Sequence, residues 1–150
     1  MIRDDEPVWK ADEYTPFGKW MDGWETRRRR TEGHDWCIVQ LGVPGRVLAI
    51  EVDTCFFTGN FSPMVSVQGL NLSSNPSLSS TVQSLIVLRR ESVRDRGEHG
   101  RMGLAASDCE LSTVAALQSE QWPMLVPRAK LGAGYEDTRR TIFHVSSKCA

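Results

Sequence analysis

No stretch of this 150-residue chain is apolar for long enough to cross a bilayer, and its longest hydrophobic runs have the length of a strand. Charge of one sign is also missing. The formal net charge is −1, so there is no excess of lysine and arginine to neutralise a phosphate backbone. A nucleic acid and a membrane are therefore not expected partners; a small molecule is. Cys37, Cys55, Cys109 and Cys149 form no C-x-x-C pair and no zinc-knuckle spacing. They read as free thiols, two in apolar strands and Cys109 and Cys149 at the surface. The opening Met1-Ile2-Arg3-Asp4-Asp5-Glu6-Pro7 is acidic and polar, unlike a secretory signal. The closing Ser147-Lys148-Cys149-Ala150 carries no retention or peroxisomal tripeptide. The cytosol is the expected compartment, with the peroxisome as the alternative. The length suits one domain.

What the chain does have is a dense segment near its start. Gly18-Lys19-Trp20-Met21-Asp22-Gly23-Trp24-Glu25-Thr26 runs into Arg27-Arg28-Arg29-Arg30, and Gly33-His34-Asp35-Trp36-Cys37 follows. Three glycines interrupt it, so neither a long helix nor a long strand is expected. Charge packed beside indole rings is costly unless the charges pair or meet a ligand. If the chain performs chemistry, this is where the residues for it are concentrated.

The first 16 residues, with Pro7 and Pro16, read as a flexible lead-in. Three strands are expected next. They are Trp36–Val43, then Arg46–Phe57 after Pro44-Gly45, then the alternating Pro63–Leu70. Strands joined by short turns favour an antiparallel sandwich. From Asn71 to Ser84 the chain is rich in Ser and Asn and reads as loop, within a loop or disordered insertion at about 73–105. A short helix is expected over Cys109–Gln121, capped by Ser107 or Asp108. An edge segment with two prolines follows at Trp122–Pro127, and Thr141–Val145 is a last strand.

The tract Gly18-Lys19-Trp20-Met21-Asp22-Gly23-Trp24-Glu25-Thr26-Arg27-Arg28 resembles the allantoicase family. So do Gly33–Cys37, Glu51-Val52-Asp53, Phe57-Thr58-Gly59-Asn60 and Pro63–Gln68. The likeness covers residues 13–72, with a weaker echo over 98–131. It implies an all-β fold, a jelly-roll β-sandwich of the galactose-binding-like type. It also implies hydrolysis of allantoate to ureidoglycolate and urea in purine (allantoin) degradation. The chain matches part of one repeat, a truncated domain over residues 17–145 with an irregular second half. Such a sandwich leaves strand edges unpaired, which leaves a homo-oligomer open. The alternative is a non-catalytic family fragment that binds a small anion or a partner chain.

Allantoate is a carboxylate with two urea-like arms on one carbon. Holding it calls for a guanidinium grip and paired donors and acceptors; releasing urea calls for a carboxylate or imidazole to move protons. Within the matched motifs, Glu25, His34, Asp35 and Asp53 are the candidate catalytic residues. Trp24, Arg27, Arg28 and Asn60 are the candidates for substrate binding. Each has a plainer alternative. Glu25 and Arg27 share a face on extended backbone and would equally make a loop-tying salt bridge, while Arg29 and Arg30 read as solvated. His34-Asp35 would equally cap the following strand. Asp53 ends an apolar strand and is either a general base or one half of an Asp–Arg pair across the sandwich. Trp24 would equally serve the core, and Gly59-Asn60 would equally be a turn. No diagnostic ligand spacing appears, so neither a cofactor nor a tightly bound metal is expected.

Overall fold

The computed structural model describes residues 6–16, 18–26, 28–95 and 107–146. The chain divides into two compact units, one drawn mainly from residues 1–66 with 126–148 and the other from 67–125.

The first unit is built of paired strands. β1 (Tyr14–Thr15) and β2 (Gly18–Lys19) form a short antiparallel hairpin. β3 (Ala49–Asp53) pairs antiparallel with β6 (Arg140–His144), in a register that sets Ala49 against His144, Glu51 against Ile142 and Asp53 against Arg140. Side chains alternate across a strand. Ile50, Val52, Thr141 and Phe143 accordingly form the half-buried face, while Glu51, Asp53, Arg140 and Ile142 share the other. The Val145 N–H donates to the Leu48 carbonyl at 2.9 Å and extends the ladder by a step. Both strands lie where the alternation of the sequence predicts them.

β4 (Met64–Gln68) pairs with β5 (Met124–Lys130). The Leu131 N–H donates to the Pro63 carbonyl at one end, and the Gly69 N–H to the Pro123 carbonyl at the other, each at 3.1 and 3.0 Å. That crossing pattern is antiparallel. β5 carries the fully buried Val126 and tolerates Pro127 because its sheet has only two strands. Among the described residues the strands pair two by two.

One expected strand fails on backbone grounds. Trp36–Val43 forms no strand, and Trp36, Val39, Leu41 and Val43 are exposed. Among the described residues no strand lies alongside to take up its N–H and C=O groups, and β-propensity alone does not hold an isolated strand. The lead-in makes several contacts from Glu6 onward. The Val8 N–H donates to Asp22 Oδ2 at 3.0 Å, and Trp9 meets Phe56 with ring centroids 5.3 Å apart. Lys19 Nζ caps the Lys10 carbonyl at 2.7 Å and stands over the rings of Trp9 and Tyr14.

The second unit is helical. Where composition predicts a loop, α1 (Pro76–Asp95) runs for 20 residues. Pro76 occupies the first helical position, where its missing N–H costs nothing. Leu78, Val82, Leu85 and Ile86 recur at helical spacing, and Val82 is buried. The serines that look loop-forming bond back to helix carbonyls instead: Ser80 Oγ to Ser77 at 2.8 Å and Ser84 Oγ to Ser80 at 3.1 Å. α2 (Asp108–Ala115) overlaps the first half of the helix expected over 109–121 and packs on α1. Ser107 and Glu110 close a capping box at its start. A 3₁₀ turn follows at Ser119–Gln121, and Trp122 Nε1 donates to the carbonyl of the fully buried Leu117 at 3.0 Å. Among the described residues no helix is long and apolar enough to cross a membrane.

Candidate functional site

Two groups of arginines stand out in the first unit. The first is the tract. Arg28, Arg29, Arg30, Thr31 and Asp35 line a hollow of about 170 Å³. This is small beside the roughly 300–1,000 Å³ of sites for drug-sized ligands. The backbone curls here because Gly33 takes φ +127°, a region that favours glycine. Arg29 folds back into that bend. Its Nη2 donates to the His34 carbonyl at 3.2 Å and pairs with Asp35 Oδ1 at 3.4 Å, and its Nη1 reaches the Glu32 carbonyl at 3.5 Å. A Cβ on Gly33 would stand 2.9 Å from Arg29 Nη1, the mobile end of a long side chain, so it is the positive φ rather than this approach that favours glycine. Arg29 thus braces the bend while its side chain stays exposed, as the sequence suggests for a solvated charge. Arg28 and Arg30 are exposed.

The second group stands where β3 meets β6. Arg139 is 9% exposed, and its Nη1 donates to Asp53 Oδ2 at 2.5 Å. Its Nη2 donates to Glu6 Oε2 at 2.9 Å, while its Nε lies 3.7 Å from Glu136 without a hydrogen bond. Arg140 pairs with Glu6 through the other carboxylate oxygen and stands 3.6 Å from Glu51 and 3.9 Å from Asp53. The strand register supplies the reason, because it sets Arg140 opposite Asp53 and brings Arg139 to the same corner. The backbone there is closed by bonds from the Thr54 N–H to the Arg139 carbonyl at 3.0 Å and from Thr54 Oγ1 to the Gly132 carbonyl at 2.9 Å. Phe56 takes φ +69°, unusual for a bulky residue, and the corner overdetermines it from both sides through Gly134. The guanidinia of Arg140 and Arg139 hold the Glu6 carboxyl down at about 2, well below the ordinary 4.5. The same contact with Glu6 raises both arginines above their usual range. Burial pushes the thiol of Cys55, next in the chain, up.

The family model of the allantoicase repeat matches residues 1–149. The chain belongs to the allantoicase family. Allantoicase from Dictyostelium discoideum is 45% identical over 84 residues, covering 56% of this chain and 22% of that protein. A probable allantoicase of Acinetobacter baylyi is 51% identical over 69 residues, 46% of this chain and 21% of its own length. One from Pseudomonas aeruginosa strain LESB58 is 54% identical over 69 residues, with the same two coverages. The chain thus aligns with about a fifth of the length of these allantoicases. No solved structure matches it.

Within this allantoicase-family chain the candidates fall into separate places. Arg28 and Asp35 line one hollow, with His34 beside Asp35 and exposed. Trp24, Glu25 and Asn60 are exposed, and Arg27 lies outside the described residues. Asp53, 22% exposed at its side chain, belongs to the other group. Both its oxygens are engaged, Oδ1 by the Cys55 N–H at 2.8 Å and Oδ2 by Arg139. Its arginine partner comes from the edge of the neighbouring strand rather than from across a sandwich. Sequence reasoning missed Glu6, Arg139 and Arg140. The signal was the Asp137-Thr138-Arg139-Arg140 run entering a predicted strand, but only the register reveals what it faces. Among the described residues no group of three or more His, Cys, Asp or Glu could hold a metal ion.

Proposed function

We propose that this chain takes part in the hydrolysis of allantoate to ureidoglycolate and urea, a step of purine degradation, as a hydrolase acting on C–N bonds of linear amidines. The relatives that carry the name allantoicase motivate the reading. One observation carries it to particular residues: the hollow that gathers Arg28, Arg29, Thr31 and Asp35 around a space suited to a small anion. In this reading Arg28, with Arg27, grips the substrate carboxylate, and Trp24 and Asn60 serve the ureido arms. Water adds to the central carbon as its bond to one ureido nitrogen breaks, and the proton that water loses ends on the departing urea. Asp35 and His34 move that proton, and Glu25 remains a candidate for the same task. Asp53, with both oxygens engaged, positions Arg139 rather than taking a proton. The strand pairs are read as part of a jelly-roll sandwich, and the cytosol as the compartment.

Urea release from allantoate by the purified, folded chain tests the proposal. Asp35→Asn is expected to lower kcat roughly 10²–10⁴-fold, the usual contribution of a positioned acid or base, with folding unchanged by circular dichroism. Absence of urea from a folded preparation removes the catalytic claim. The second reading, a non-catalytic member that binds a partner chain, is favoured by the exposed run Trp36, Val39, Leu41, Val43 and Leu48. It predicts oligomers without turnover.

A further inference from the structure

The geometry points to a second anion site: the paired guanidinia of Arg139 and Arg140 form a carboxylate receptor, and the chain's own Glu6 fills it as a tethered occupant that a free small carboxylate displaces. The site goes beyond the hydrolytic reading and uses none of its residues except Asp53.

The grip is a forked one. Glu6 Oε2 takes a hydrogen bond from Arg139 Nη2 at 2.9 Å, and Oε1 takes one from Arg140 Nη2. One carboxylate thus bridges two guanidinia with an oxygen on each, held by charge-assisted hydrogen bonds of the kind arginines make to carboxylates. Contacts other than Glu6 also hold the receptor. Arg139 is nine-tenths buried, and Asp53 fixes its Nη1, leaving Nη2 directed at the occupant. Its Nε is buried without a hydrogen-bond partner, so the guanidinium is held by its ends. Arg140 is set by its register opposite Asp53.

Glu6 differs from the other carboxylates around the pair. Asp53 stands on β3 with its side chain 22% exposed, whereas the side chain of Glu6 is 65% exposed and lies 133 residues away in sequence from Arg139. Glu51 and Glu136 stand at 3.6 and 3.7 Å, beyond hydrogen-bond range and exposed to solvent, so their repulsion toward an incoming anion is screened. What holds Glu6 in place is its own two charged contacts, helped by Trp9 against Phe56 and by Val8 on Asp22. A tethered occupant competes at an effective concentration of about millimolar for a short flexible link. Removing its charge therefore raises the apparent affinity for a free carboxylate.

The test is a titration with sodium acetate at constant ionic strength, with sodium chloride as control. It is followed through the arginine Nε–H signals in NMR. Glu6→Gln is expected to bind acetate saturably at Arg139 and Arg140, with a midpoint at least about tenfold lower than wild type. Adding Arg140→Met to Glu6→Gln is expected to abolish that binding. In wild type, acetate is expected to speed trypsin cleavage after Lys10, because the displaced lead-in loosens. A Glu6→Gln midpoint equal to that of wild type overturns the proposal, as does acetate binding that survives Arg140→Met. Urea is not read here, so a protein that binds acetate but releases no urea loses the hydrolytic reading and keeps this one.

Discussion

Four arginines in a row and two arginines in a row meet opposite fates in this molecule. The tract at 27–30 looks the richer site in sequence, yet among its described residues Arg28 and Arg30 are exposed around an open hollow and Arg29 braces the bend. Arg139 and Arg140 carry half the charge and both pair with carboxylates, one of them buried. The difference lies in what the backbone sets opposite them. Strand pairing places Asp53 against Arg140 and holds it there, whereas the tract faces its own bend and water. Local charge density marks where ions are plentiful; register decides where they are fixed.

The comparison breaks most visibly at the buried end. Arg139→Ala leaves Asp53 without its cation beside buried Thr54 and Cys55, and the melting temperature is expected to fall by several degrees or cooperative melting to be lost. A melt indistinguishable from wild type would mean the corner is held by its backbone alone. Gly134→Ala comes next. Its Cβ would lie 2.1 Å from the Thr54 carbonyl oxygen and 2.6 Å from the Phe57 nitrogen, so the corner must open at a cost of about 1–3 kcal/mol. Gly45→Ala, with nothing within 4 Å, is expected to stay within about 0.5 kcal/mol in the same denaturant titration.

Acid sharpens the contrast further. Glu6 titrates at about 2 instead of 4.5, because Arg140 and Arg139 face it, with Glu51, Asp53 and Glu136 around them. A carboxyl with a depressed folded value adds stability that is complete above 4.5 and is lost as pH falls toward about 2. The stability difference between wild type and Glu6→Gln is therefore expected to shrink over that window. A difference that stays constant down to pH 2 would contradict the pairing. Arg28→Ala and Arg30→Ala should have the smallest effect, within about 0.5 kcal/mol, as exposed positions usually do.

Much of the strand layout was legible, because alternation in Arg46–Phe57, Pro63–Leu70 and Thr141–Val145 is a local signal. The allantoicase kinship was legible for the same reason, in the motifs around Trp20 to Arg28 and Gly59-Asn60. α1 was hidden by its composition. Ser80 and Ser84 read as loop until their hydroxyls are seen bonded to helix carbonyls, though the spacing of Leu78, Val82 and Ile86 was there to find. Trp36–Val43 misled in the opposite direction, since a strand needs a neighbour and sequence shows only appetite for one. Within the candidate sites, Arg28 and Asp35 were named from motifs. Glu6 and Arg139 were not, because 133 positions separate them and nothing short of the fold brings them together.

Hydrogen exchange at single-residue resolution asks most directly whether register or charge density fixes the arginines. The Thr54 amide, bonded to the Arg139 carbonyl, and the Val145 amide, bonded to the Leu48 carbonyl, should be protected, while the amides of Arg28, Arg30 and Thr31 exchange near the rate of open chain. Equal protection of the two groups, or faster exchange at Thr54 than in the tract, would contradict it.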